Sequence, residues 1–133
     1  MNKDSGITVD CDNLPWLSLA EGVGVRVLRL DRESGVFTLM VRAEAGAVLP
    51  RHRHLDEAEI YVILGAGTHP QTGFFKAGDY VHENKGALHE AVTFDEETIL
   101  FMVNKGPSAF LNKDDTVAHI MDIPMLERLS ASA

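Results

Sequence analysis

Three histidines and the carboxylates around them carry the chemistry available to this sequence. The stretch Pro50-Arg51-His52-Arg53-His54-Leu55-Asp56-Glu57-Ala58-Glu59 holds a His-x-His pair followed by Glu59, and His89 comes thirty residues after Glu59. In an extended strand successive side chains alternate between faces, so His52 and His54 point one way while Arg51 and Arg53 point the other. Imidazole nitrogen and carboxylate oxygen are ligands for first-row divalent metals, and such a set leaves coordination positions open for substrate or oxygen. The pattern predicts a mononuclear metal site.

The elements that must position these groups read as short strands. Residues 1–20 are expected to form an amino-terminal arm, with Ile7-Thr8-Val9 as a possible edge strand and Trp16 lying against the outside of a sheet. Residues 21–133 are expected to form a single domain. Gly22 to Leu30 ends in an apolar-polar alternation, and Val36 to Arg42 is rich in β-branched and aromatic residues, so two strands are expected there. Val48 to His54 reads as a third strand, in which Pro50 removes one ladder hydrogen bond and implies an edge or a bulge. Glu59 to Leu64 follows as a fourth, and Thr68 to Lys76 as a hairpin-like excursion. Tyr80 to His82 and Leu88 to Thr93 read as further strands, and Thr98 to Val103 as a strand buried on both faces. Ala109 to Leu111 and Val117 to Ile123 complete the strands, and a short helix over Met125–Leu129 follows Pro124. Many short strands with close-spaced turns and little helical periodicity describe an all-β protein, a sandwich or a barrel.

Length and charge narrow the function classes. A chain of 133 residues fits one domain and buries roughly two thirds of its unfolded surface. Acidic residues outnumber basic ones by 20 to 12, and a net charge of −8 repels a phosphate backbone, so nucleic acid is not an expected partner. The one cysteine, Cys11, allows no intramolecular disulfide and no cysteine zinc site. The start Met1-Asn2-Lys3-Asp4-Ser5 lacks the apolar run of a signal peptide, and apolar runs such as Ile99–Val103 fall far short of the roughly 20 residues a bilayer requires. A cytoplasmic protein with no membrane span is the expectation.

The glycines and histidines together resemble the two short motifs of the cupin superfamily. The first runs Gly46, five residues, His52-Arg53-His54, four residues, Glu59, five residues, Gly65; the second runs Gly78, five residues, Asn84-Lys85-Gly86, two residues, His89, three residues, Thr93. Asn84 and Thr93 depart from the proline and asparagine usual at those places. The resemblance covers residues 46–93 and implies a cupin double-stranded β-helix, a jelly-roll barrel. It further implies that His52, His54 and His89 bind a metal, with Glu59 as a fourth ligand or a nearby base. Within the superfamily, the block with Tyr61-Val62 and Gly65, the acidic Glu83 six residues before His89, and the opening Asn13-Leu14-Pro15-Trp16 resemble dioxygenases that cleave acetylacetone or dihydroxyacetophenone. Those acetylacetone-cleaving enzymes use three histidines without a carboxylate, and carry an arginine where this chain has Thr68 or His69.

The resemblance implies an Fe(II)-dependent dioxygenase acting on a small β-dicarbonyl or hydroxyketone with O2, with Zn2+, Ni2+ or Mn2+ as other candidate ions. The ion would act as a Lewis acid that favours the substrate enolate. Glu83 is the candidate to orient a ligand or take a proton, and Tyr61 to hydrogen-bond a substrate oxygen. Met40, Phe101 and Phe110 are candidate wall residues, while His69, His82 and His119 have no partner at ligand spacing and are expected as surface or core histidines. Two other classes stay open: a zinc-binding sensor cupin related to anti-sigma factor domains, and a non-redox isomerase or lyase. The resemblance also implies a homodimer.

Overall fold

The structure, a computed structural model, describes residues 5–133. A 3-10 turn at Cys11–Asn13 precedes β1 (Leu17–Ala20), β2 (Val23–Leu30), β3 (Phe37–Ala43), β4 (Val48–Leu49), β5 (His52–His54), β6 (Ala58–Leu64) and β7 (Ala66–His69). There follow β8 (Gly73–Lys76), β9 (Tyr80–Glu83), β10 (Leu88–His89), β11 (Val92–Phe94), β12 (Thr98–Asn104), β13 (Ser108–Leu111), β14 (Val117–Met121) and the helix α1 (Ile123–Ala131). The protein is thus mostly β, as expected.

Three sheets enclose one core. The largest has the order β1-β2-β3-β12-β6-β9, and two four-stranded sheets have the orders β10-β5-β13-β14 and β4-β11-β7-β8. Phe37, Leu39, Val41 and Ala43 alternate inward along β3, and Leu100 and Met102 lie in register with Val41 and Leu39 on one side and with Val62 and Ile60 of β6 on the other. Period-two patterning therefore puts one continuous apolar layer on a single face of the large sheet. Phe75 and Phe94 from the third sheet, edge to face with each other at 6.0 Å between ring centroids, join it in one core. At the carboxyl end the Asp122 side chain accepts a hydrogen bond from the Met125 amide at 2.9 Å and caps α1, which begins earlier than its sequence suggests.

Several strands expected as single units are broken where the chain changes sheets. The stretch Val48–His54 divides at Pro50: β4 joins the third sheet and β5 the second, because proline lacks the N–H that would continue the ladder. Leu88–Thr93 divides in the same way into β10 and β11. Gly65 makes the corner between β6 and β7. Its φ is +93°, and a Cβ there would lie 2.3 Å from the Glu97 carbonyl oxygen, so no other residue fits. Thr98–Val103 is not buried on both faces: Leu100 and Met102 point inward, whereas Phe101 is 37% exposed and lies opposite Met40 and Tyr61 on the outer face. Met40 and Phe101 are therefore not wall residues. Strand β14 ends at Met121, short of Ile123.

The expected arm of residues 1–20 lies in part outside the described residues, and its last four residues form β1, paired with β2. Ile7–Val9 takes no strand. Arg26 of β2 holds this segment from the outer side: its Nε donates to the Leu14 carbonyl at 2.9 Å and its guanidinium stands 4.3 Å from the Trp16 ring centroid. No helix among the described residues is long and apolar enough to cross a membrane.

Candidate metal centre

Antiparallel register gathers the histidines. On β5, His52 lies opposite His89 of β10 and Phe110 of β13, and His54 lies opposite Ser108. Directly opposed residues of antiparallel strands project from the same face, so both flanking strands send side chains to the side on which His52 and His54 point. The ring centroids of His52, His54 and His89 lie between 4.9 and 5.4 Å from one another. Arg51 and Arg53 turn outward to Glu90 and to the Gly86 carbonyl, as the alternation requires.

Two of the three rings are turned by a partner at the far nitrogen, whereas the buried His89 Nδ1 has none. His52 Nδ1 donates to the Pro50 carbonyl at 2.8 Å, which leaves Nε2 as the lone-pair nitrogen of the neutral ring. His54 Nδ1 meets Ser108 Oγ at 3.1 Å. Burial lowers the pKa of His52, although its bond to Pro50 opposes this, and burial pushes His89 down to about 4 against the opposing charge of Glu83. Both rings are neutral at pH 7 and carry lone pairs.

Glu83, at the end of β9, brings a carboxylate into the histidine cluster. It pairs in register with Ala58 of β6, and this small residue leaves room for the carboxylate that enters from the neighbouring strand. Glu83 Oε1 lies 3.1 Å from His54 Nε2, and Oε2 lies 3.0 Å from His69 Nε2 and 3.2 Å from His89 Nε2. Burial opposes its ionisation most strongly, yet the contacts with His54 and His69 and the charge field of His54 and His89 outweigh burial and hold its pKa well below the usual carboxylate range.

The donor atoms fit a divalent ion. His54 Nε2, His89 Nε2 and Glu83 Oε1 are buried and lack a well-directed hydrogen bond, so the short separations from Glu83 to His54 and His89 are close approaches with poor alignment. Two donors bound to one ion at about 2.1 Å and at right angles stand roughly 3.0 Å apart, close to these spacings. His52, His54 and Glu83 place one ligand atom each within 4.8 Å of one another, and so do His69, Glu83 and His89. His52, His54, His69 and Glu83 line a cavity of about 50 Å³ whose other walls include Leu39, Val62, Phe94, Leu100 and Phe110. Among the described residues, no lysine or arginine lines it.

The profile of the ChrR cupin-like domain matches residues 4–109. The chain belongs to this cupin family. No curated protein sequence matches it. Among solved structures, the acetylacetone dioxygenase of Acinetobacter johnsonii superposes with a TM-score of 0.85 at 18% identity, over 96% of this chain and 91% of that one. An RmlC-like cupin protein of Ralstonia eutropha JMP134 gives 0.84 at 22% identity, over 99% and 90% of the two chains. A chain from the complex of Rhodobacter sphaeroides SigE with the anti-sigma ChrR gives 0.61 at 21% identity, over 70% of this chain and 49% of that one. At these identities the likeness speaks for the fold, which is an all-β cupin fold.

Within this cupin, His52, His54, His89 and Glu83 come together, but Glu59 and Tyr61 do not join them. Ala58, Ile60 and Val62 take the inward positions of β6, which turns Glu59 and Tyr61 outward by strand parity. Glu59 accepts a hydrogen bond from the Tyr80 hydroxyl at 2.7 Å, and Tyr61 is 50% exposed. Spacing from the His-x-His pair cannot distinguish an inward from an outward glutamate one residue away. His69 is the residue that spacing missed. The available signal was parity after the Gly65 corner, which turns Gly67 and His69 inward together. His82 lies near Glu57 at the surface, and the exposed His119 stacks on Phe110, itself a true wall residue.

Proposed function

We propose that this cupin holds Fe(II) through His52 Nε2, His54 Nε2, His89 Nε2 and Glu83 Oε1, and is a dioxygenase that cleaves a small β-dicarbonyl or hydroxyketone. The observation that carries the reading is that His54 Nε2, His89 Nε2 and Glu83 Oε1 are buried without well-directed partners, beside an apolar cavity that His54 and Glu83 line. The ion supplies Lewis acidity that favours the substrate enolate and a site where O2 reacts beside it. The chain's own residues set the charge. One carboxylate among neutral imidazoles leaves a divalent ion with a net charge of about +1, which a singly charged enolate neutralises. With no lysine or arginine among the described residues of the wall, the cavity offers nothing to a second negative charge, so phosphorylated and dicarboxylate substrates are disfavoured. Leu39, Val62, Phe94 and Phe110 exclude water and pack the substrate's apolar flanks. We read the three sheets as the jelly-roll barrel of the superfamily.

The match to the ChrR cupin-like domain favours a second reading, in which the same residues hold zinc as a sensor. Elemental analysis, then oxygen uptake after anaerobic Fe(II) loading with β-diketones and aromatic hydroxyketones, separates the two. Substrate-dependent uptake is the expected result. Tightly held zinc with no uptake after iron exchange moves the function to the sensor, and a site that refuses every divalent ion overturns both.

A further inference from the structure

The two oxygens of Glu83 have different surroundings, and His69 makes the difference. The Thr72 backbone N–H donates to His69 Nδ1 at 3.3 Å, so that nitrogen presents its lone pair. The single proton of the neutral ring then sits on Nε2, which donates to Glu83 Oε2 at 3.0 Å. A ring nitrogen that carries a proton has no lone pair to offer an ion. His69 therefore stands apart from His52, whose outward bond from Nδ1 leaves Nε2 free. The ring of His69 also packs edge-on against His89 at a centroid distance of 4.2 Å. Both contacts start from the β7–β8 hairpin, whose turn supplies the Thr72 amide.

We propose that His69 is a positioning residue and not a ligand: its Nε2–H occupies Glu83 Oε2, turns Oε1 toward His54, and braces His89 in its place. This is the reverse of the common arrangement in which a carboxylate orients a metal-binding histidine. Its consequence for metal affinity rests on the metal reading above, while the tautomer does not depend on any ion.

Histidine-nitrogen NMR of the full chain, before and after saturation with Zn2+, tests it directly. The expected spectrum shows His69 bare at Nδ1 and protonated at Nε2 in both states, while the nitrogens of His52, His54 and His89 shift with zinc. Loss of the Nε2 proton on zinc saturation makes His69 a ligand and overturns the proposal, as does a protonated Nδ1 in the metal-free protein. If zinc moves none of the other three rings and the His69 signature persists, the metal reading falls and the His69–Glu83 pair stands. Chelator competition adds a second arm. His69→Leu is expected to bind one Zn2+ about 10–100-fold more weakly. His69→Gln, which keeps an N–H donor, is expected to recover most of that loss, and equal loss in both variants overturns the positioning role.

Discussion

Glu83 and Glu59 sit one row apart on neighbouring strands of one sheet, and their surroundings are opposite. Glu83 lies across from Ala58 and is 3% exposed among three histidines, whereas Glu59 lies across from His82 on the outer face and accepts a hydrogen bond from the Tyr80 hydroxyl. Strand pleat alone separates them, since adjacent residues point to opposite faces. Which carboxylate reaches the histidines is here a matter of parity, and the one that does comes from a neighbouring strand rather than from the motif's own.

The largest expected effect tests this contrast at the metal. Glu83→Gln is expected to weaken divalent-metal binding by at least ~100-fold and Glu59→Gln by no more than about twofold, read by chelator competition. The reverse ranking would place the ligand on the outer face. Replacing His54 or His89 with alanine should likewise remove most bound metal while circular dichroism stays that of the folded protein.

The same inner-outer contrast applies to the apolar residues. Leu39 is fully buried and its neighbour Met40 faces outward, so Leu39→Ala is expected to cost about 2–5 kcal/mol in denaturant unfolding and Met40→Ala less than ~1 kcal/mol. Comparable losses would mean that a partner covers the outer face.

Acidification reads the buried groups together. His89 titrates near 4 in the folded protein, below the ordinary histidine value near 6.5, and Glu83 also titrates below its ordinary range. The unfolded chain therefore binds more protons than the folded one, and stability of the metal-free protein is expected to rise with pH. The His89 contribution is present above about pH 6.5 and declines toward pH 4, and the Glu83 contribution is lost at lower pH still. His89→Gln should flatten the upper part of this dependence in urea titrations; an unchanged slope would show that other groups cause it. The smallest effect is expected from Tyr80→Phe, which removes an exposed hydrogen bond to Glu59 and should leave the unfolding midpoint unchanged.

Much of the cupin fold was legible in the sequence because alternation in β3 and β6 and the glycine corners are local properties of the chain. The breaks at Pro50 and after His89 were only partly so. Proline signals an interrupted ladder, but the sheet that each half joins depends on distant partners such as Val92 for β4 and Ser108 for β5. Strand β12 was misread as doubly buried because its run of apolar residues continues through the outward-facing Phe101, which stays half open to solvent.

By itself the sequence determined the types and local spacing of the donors: His52 and His54 share a face because strand geometry has a period of two. Only the tertiary structure decided which carboxylate stands among them. Register between β6 and β9 sets Glu83 over Ala58, and the β7–β8 hairpin brings His69 to its second oxygen. These are contacts between strands far apart in the chain, and they depend on how the sheets pair and pack.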